Sequence, residues 1–214
     1  MSPLRMPEGD LLRGYVESTL DDDDGFLPFD AAYLDIRRHA VLAVSGRADM
    51  DLELRKVLPS CDERFHQQIT TAVNKGKGRC ESPIEDILFP RLVAQEYSCF
   101  RYNPAVLLPG EQGDYVPFTV CVIPQLPVRP YRADFALAAS RGGLIKFVLV
   151  ECDEATRDAA RDARLRSNPR ILDIVRIPGG AILAAPEVAA RRAERALLDA
   201  WRGPSTPLAR GALQ

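Results

Sequence analysis

The stretch Tyr131–Leu165, YRADFALAASRGGLIKFVLVECDEATRDAARDARL, decides how this chain is read. It opens with an apolar run that carries an acid, Asp134, and it holds a second run, Ile145 to Val150, that ends in Glu151 and Asp153. Buried strands do not carry carboxylates unless something compensates the charge. Gly142 and Gly143 sit between the runs and mark a hairpin turn. Glu151 and Asp153 share parity at the end of their strand, and paired strands lie about 5 Å apart. The three acids are therefore expected to converge. Carboxylates that close repel one another, and a cation is the natural compensation. An oxygen-only set suits Mg²⁺ or Mn²⁺ better than zinc.

Working outward, the segment CESPIEDILFPRLVAQEY (residues 80–97) reads as a helix with Ser82 as N-cap, Pro83 at the first helical position and Glu85 three residues past the cap. Strand-like runs cover Phe118 to Ile123, Tyr131 to Ala138 and Ile145 to Glu151. A helix follows over Glu154 to Leu165, a strand over Ile171 to Ile177, and a long helix over Pro186 to Trp201. The order α-β-β-β-α-β-α packs most economically as one sheet flanked by helices. Upstream, helices are expected from Asp30 through Leu42 and from Asp62 to Val73. NKGKGR (residues 74–79) reads as a flexible basic connector. The chain is thus divided into a helical N-terminal extension, residues 1–78, and an α/β domain, residues 79–214.

Bulk properties leave the function open. With 214 residues and 46% hydrophobic content the chain can bury one sizeable core. A net charge of −2 advertises no global attraction to nucleic acid, although a local basic face is enough for binding. Nearly all basic residues are Arg, with Lys only at 56, 75, 77 and 146. The five cysteines show no C-x-x-C spacing and read as buried or free thiols of a reducing compartment. Asp21 to Asp24 reads as a solvated acidic loop, and His39 and His66 as packing or surface residues. No signal-peptide pattern or bilayer-length apolar run is found, so a soluble, cytoplasmic protein without a membrane partner is expected.

Three motifs in this order, Ser82–Pro83–Ile84–Glu85, Tyr131–Arg132–Ala133–Asp134–Phe135 and Val150–Glu151–Cys152–Asp153, resemble the PD-(D/E)XK nuclease superfamily. The likeness is greatest to very-short-patch-repair-type endonucleases and their bacterial relatives, and it spans about residues 80 to 190. It implies a restriction-endonuclease-like α-β-β-β-α-β core, a mixed sheet flanked by helices. It also implies metal-dependent hydrolysis of DNA phosphodiester bonds. Asp134, Glu151 and Asp153 would then hold Mg²⁺ or Mn²⁺, with Glu85 in support and DNA as the partner. Gln125 lies where some relatives carry a Gln just upstream of the acid strand.

The chain departs from that pattern at the motif lysine, whose place is taken by Asp153, and no lysine follows Lys146. A Gly-His loop common among relatives is missing too. Arg157 and Arg161, with Arg132, are the candidate phosphate contacts. Arginine is a poor proton acceptor, so water activation would fall to the metal. Bland readings stand beside these. Glu85 completes a capping box with Ser82, Asp153 caps a helix, and the arginines of residues 157–164 pair with Asp158 and Asp162. A catalytically inactive nuclease fold that binds DNA or a protein partner is the alternative function.

Overall fold

The structure is a computed structural model that describes residues 48–97, 119–128, 130–141, 144–152 and 159–202. The expected helix over Asp30 to Leu42, the acidic run Asp21 to Asp24 and His39 lie outside the described residues, as do Asp153 and Arg157. Helix α1 covers Met50–Val57, and short 3₁₀ turns at Leu58–Ser60 and Glu63–Phe65 lead into α2, His66–Gly76. Helix α3, Pro83–Gln95, precedes strands β1 (Thr119–Val128), β2 (Tyr131–Arg141) and β3 (Leu144–Glu151). Helix α4 (Ala159–Arg166), strand β4 (Ile171–Arg176), and helices α5 (Gly179–Ala184) and α6 (Pro186–Arg202) complete the order.

The strands form one mixed sheet in the order β1-β2-β3-β4. The first two pairings are antiparallel, and β3–β4 is parallel, with α4 in the connection. This is an α/β fold with helices against both faces. On one face, Val122, Phe135, Leu137, Val148 and Val150 join residues of α1, α2, α3 and α6 in a single cluster. On the other, Ile123, Ala136, Ala138, Phe147 and Leu149 pack with Leu165 of α4. Met50, Leu54, Ile69 and Val73 belong to the first cluster, so the described part of the expected N-terminal extension shares the core of the sheet.

Asn74, Lys75 and Gly76 continue α2 and do not form the flexible connector expected there. Gly76 is buried, and a side chain at that point would overlap the ring edge of Phe89. Phe89 in turn stacks on Phe135, with centroids 5.8 Å apart and planes 6° from parallel. Arg91 is also buried. It donates to Glu53 at 2.8 Å, to Glu187 at 2.9 Å and to the Ile87 carbonyl at 2.6 Å, joining α1, α3 and α6. The four described cysteines are free thiols. Among the described residues, no helix is long and apolar enough to cross a membrane.

Candidate functional site

The β2–β3 ladder ends at the pair Phe135–Val150. Asp134 and Glu151 are the next residues on the two strands, so both acids of the quoted stretch stand where the ladder stops. Asp134 accepts the backbone N–H of Cys152 at 2.7 Å, a charge-assisted bond between the two strands. Both carboxylates are buried, at 3% and 1% exposure.

Helix α3 delivers the third described acid. Ser82 caps it, its hydroxyl accepting the Glu85 N–H at 3.2 Å and donating to Glu85 Oε1 at 3.0 Å. Glu85 Oε2 accepts the Glu81 N–H at 2.9 Å. The capping role is therefore real, and it aims the carboxylate rather than competing with a role at the site. Glu85 is buried close to Asp134. Desolvation first, and then the Asp134 charge, push its pKa up to about 7 from an ordinary 4.5. The same surroundings hold the Cys152 thiol well above its usual range, through burial and then the charges of Asp134, Glu85 and Glu151.

Gln125 links the sheet to this helix. Between the pairs Pro124–Phe135 and Leu126–Ala133 it faces Asp134, and it has a left-handed φ of 58°. The inside–outside alternation breaks on both strands here. Ile123 and Leu126 share one face, as do Ala133 and Ala136, although each pair is three residues apart. A non-glycine residue in that region is strained by about 1–3 kcal/mol. The kink lets Gln125 Nε2 donate to Glu85 Oε2 at 2.5 Å. Its Oε1 is buried with no hydrogen-bond partner among the described residues.

The arginines are engaged. Arg161 donates from Nη2 to Glu151 Oε1 at 2.8 Å and to the Arg132 carbonyl at 3.2 Å, and its guanidinium lies 5.4 Å from the centre of the Tyr131 ring. Arg132 forms an ion pair with Glu81. Both were expected as phosphate contacts from sequence. In the structure they hold acids and backbone of the site itself. Glu81 carried no sequence signal beyond its place before Ser82, and the Cys152 N–H carried none at all.

Among the described residues no three His, Cys, Asp or Glu side chains form a ready metal cage. Asp153, the expected third ligand, lies outside them. The residues present nevertheless suit a hard cation in type. The carboxylates and a buried amide oxygen beside them are hard oxygen donors, two of the acids crowd each other enough to raise Glu85, and the Cys152 thiol among them stays protonated. No family model, curated protein or solved structure matches this chain.

Proposed function

We propose that the chain is a restriction-endonuclease-like protein that hydrolyses DNA phosphodiester bonds with a divalent metal. The observation that carries this reading is the placement of buried Asp134 and Glu151 just past Phe135–Val150, with Glu85 close enough to feel the Asp134 charge. Buried like charges cost stability, and sites that keep them are often functional. Asp134, Glu151 and Asp153 would hold Mg²⁺ or Mn²⁺. Bound there, the ion would supply Lewis-acid polarisation of the scissile phosphate and a more acidic water.

The chain's own groups do the positioning. The Cys152 N–H orients Asp134, and Arg161 orients Glu151. Ser82, the Glu81 N–H and Gln125 fix Glu85, which acts as a positioning residue beside Asp134. Incubation of the full chain with supercoiled plasmid and Mn²⁺ tests the reading. Wild type should nick or linearise the plasmid and Asp134→Asn should not. Intact plasmid with wild type, or equal cleavage by both, would sink it.

One observation favours the second reading, an inactive nuclease fold that binds DNA or a protein. Glu151 is already neutralised by Arg161, and no lysine stands beside the acids among the described residues. Under that reading DNA binding persists without any metal-dependent cleavage.

A further inference from the structure

A cleft of about 850 Å³ opens along β4, between α4 and α6. It is lined by none of Asp134, Glu151 and Glu85, although Arg176 pairs with Glu151 in the β3–β4 ladder, and among the described residues it carries five charged groups: Arg166, Arg176, Arg192, Asp162 and Asp173. Asp162 is held ionised chiefly by its hydrogen bonds with Arg176, at 2.8 and 2.5 Å. Arg166 is shared at longer range, 3.3 Å to Asp173 and 3.7 Å to Asp162, and half of its side chain remains exposed.

Arg192 differs from both. It is exposed on α6 and has no ion pair or hydrogen bond among the described residues. The residues three and four positions away on its helix are Val188, Ala189, Arg195 and Ala196, none of them an acid. Among the described residues three guanidinium groups therefore meet two carboxylates, leaving one positive charge at the cleft. Small side chains, Ala163 and Ala196 among them, leave the volume open beside that charge. The space falls within the range of small-ligand sites. Strand addition along β4 is disfavoured, because the Ile174 N–H already donates to the Asp173 carboxylate at 2.8 Å.

We infer that this cleft binds a nucleoside phosphate, with Arg192 and the exposed part of Arg166 on the phosphate and the nucleoside in the remaining space. A guanidinium fork suits two phosphate oxygens at once. A free mononucleotide and a nucleic-acid strand present the same chemistry, and neither needs the carboxylate centre or a metal.

Titration calorimetry of the full chain in EDTA tests this with thymidine 5′-monophosphate, thymidine and a short oligothymidylate. The monophosphate should bind and thymidine should not. Arg192→Glu should weaken monophosphate binding by about tenfold or more, and Arg192→Lys by much less, because the charge is kept. Arg192 is exposed, so circular dichroism of both variants should match wild type. Failure of the monophosphate to bind, equal binding of thymidine, or unchanged affinity in Arg192→Glu would each overturn the site. The oligonucleotide identifies the source. A strand is the ligand if it binds more tightly than the monophosphate and Arg192→Glu lowers its log–log salt slope by about 0.7. Oligonucleotide binding no tighter than the monophosphate assigns the cleft to the free nucleotide. Both outcomes are independent of plasmid cleavage.

Discussion

The Asp134 carboxylate, one residue from Phe135 at the end of the β2–β3 ladder, accepts the N–H of Cys152, two residues past Val150, at 2.7 Å. The bond replaces a missing strand-to-strand contact and fixes an acid in the interior. Asp134→Ala should leave a buried N–H without its acceptor, at a cost of about 1–3 kcal/mol. Asp134→Asn keeps an acceptor oxygen and removes the charge, so it should cost less. Urea denaturation of the two variants compares them, and equal losses would deny the bond its role.

Glu85 makes stability depend on pH in an unusual direction. Its carboxyl titrates at about 7 when folded, against an ordinary 4.5. The folded state thus holds a proton that the unfolded chain releases between those values. Stability is therefore greatest below pH 4.5 for this group and is lost as pH rises toward 7, by about 3 kcal/mol in all. Glu85→Gln should flatten that slope and raise stability at pH 8. Denaturation midpoints measured in EDTA from pH 4.5 to 8 should show the difference between wild type and variant shrinking on acidification. Parallel curves would place Glu85 in an ordinary environment.

Much of this arrangement was legible in the sequence because charged residues interrupt apolar runs. Asp134 and Glu151 stand out for that reason, and Ser82, Pro83 and Glu85 announce a helix start by their spacing. The end of β1 was not legible. Pro124 and Pro127 argue against a strand, yet β1 runs to Val128. Among the described strands it lies at the sheet edge, where a missing N–H is tolerated. Helix α5 was missed because its two glycines disguise a short turn of helix. The left-handed Gln125 and the contacts of Arg161 depend on where distant elements meet, and no local pattern encodes them.

Metal binding should show as linkage. If Asp134 belongs to a Mg²⁺ or Mn²⁺ site, saturating ion at a hundred times its Kd should stabilise the wild type by about 2.7 kcal/mol. Asp134→Asn should lose most of that gain. Differential scanning calorimetry with and without the ion reads both. An equal shift in the two proteins would mean that the ion binds elsewhere.

Gly76 lies beneath the ring that supports the acid strand. A methyl group there would overlap Phe89, which stacks on Phe135 next to Asp134. Gly76→Ala should therefore cost about 1–3 kcal/mol through overpacking. Substitution of Gly78, where nothing lies within 4 Å of the added carbon, should cost far less. Similar losses at both positions would indicate a helix-end effect and not a collision with Phe89.

Arg161 gives the sharpest test of how the site is held. Its guanidinium meets Glu151 at 2.8 Å, with side-chain exposures of 14% and 2%, so the pair is shielded from solvent. A surface pair would contribute at most about 1 kcal/mol. Removing one partner of a buried pair costs about 3–5 kcal/mol, because the other charge stays in the interior. Arg161→Ala should therefore destabilise strongly, while the double variant Arg161→Ala with Glu151→Gln should recover part of the loss. Glu151→Gln alone should also destabilise, since it strips Arg161 of its counter-charge. A double-mutant cycle by urea denaturation measures the coupling directly. A coupling below about 0.5 kcal/mol would return Arg161 to the internally paired helix face that the alternating arginines and aspartates of residues 157–164 suggest in the sequence.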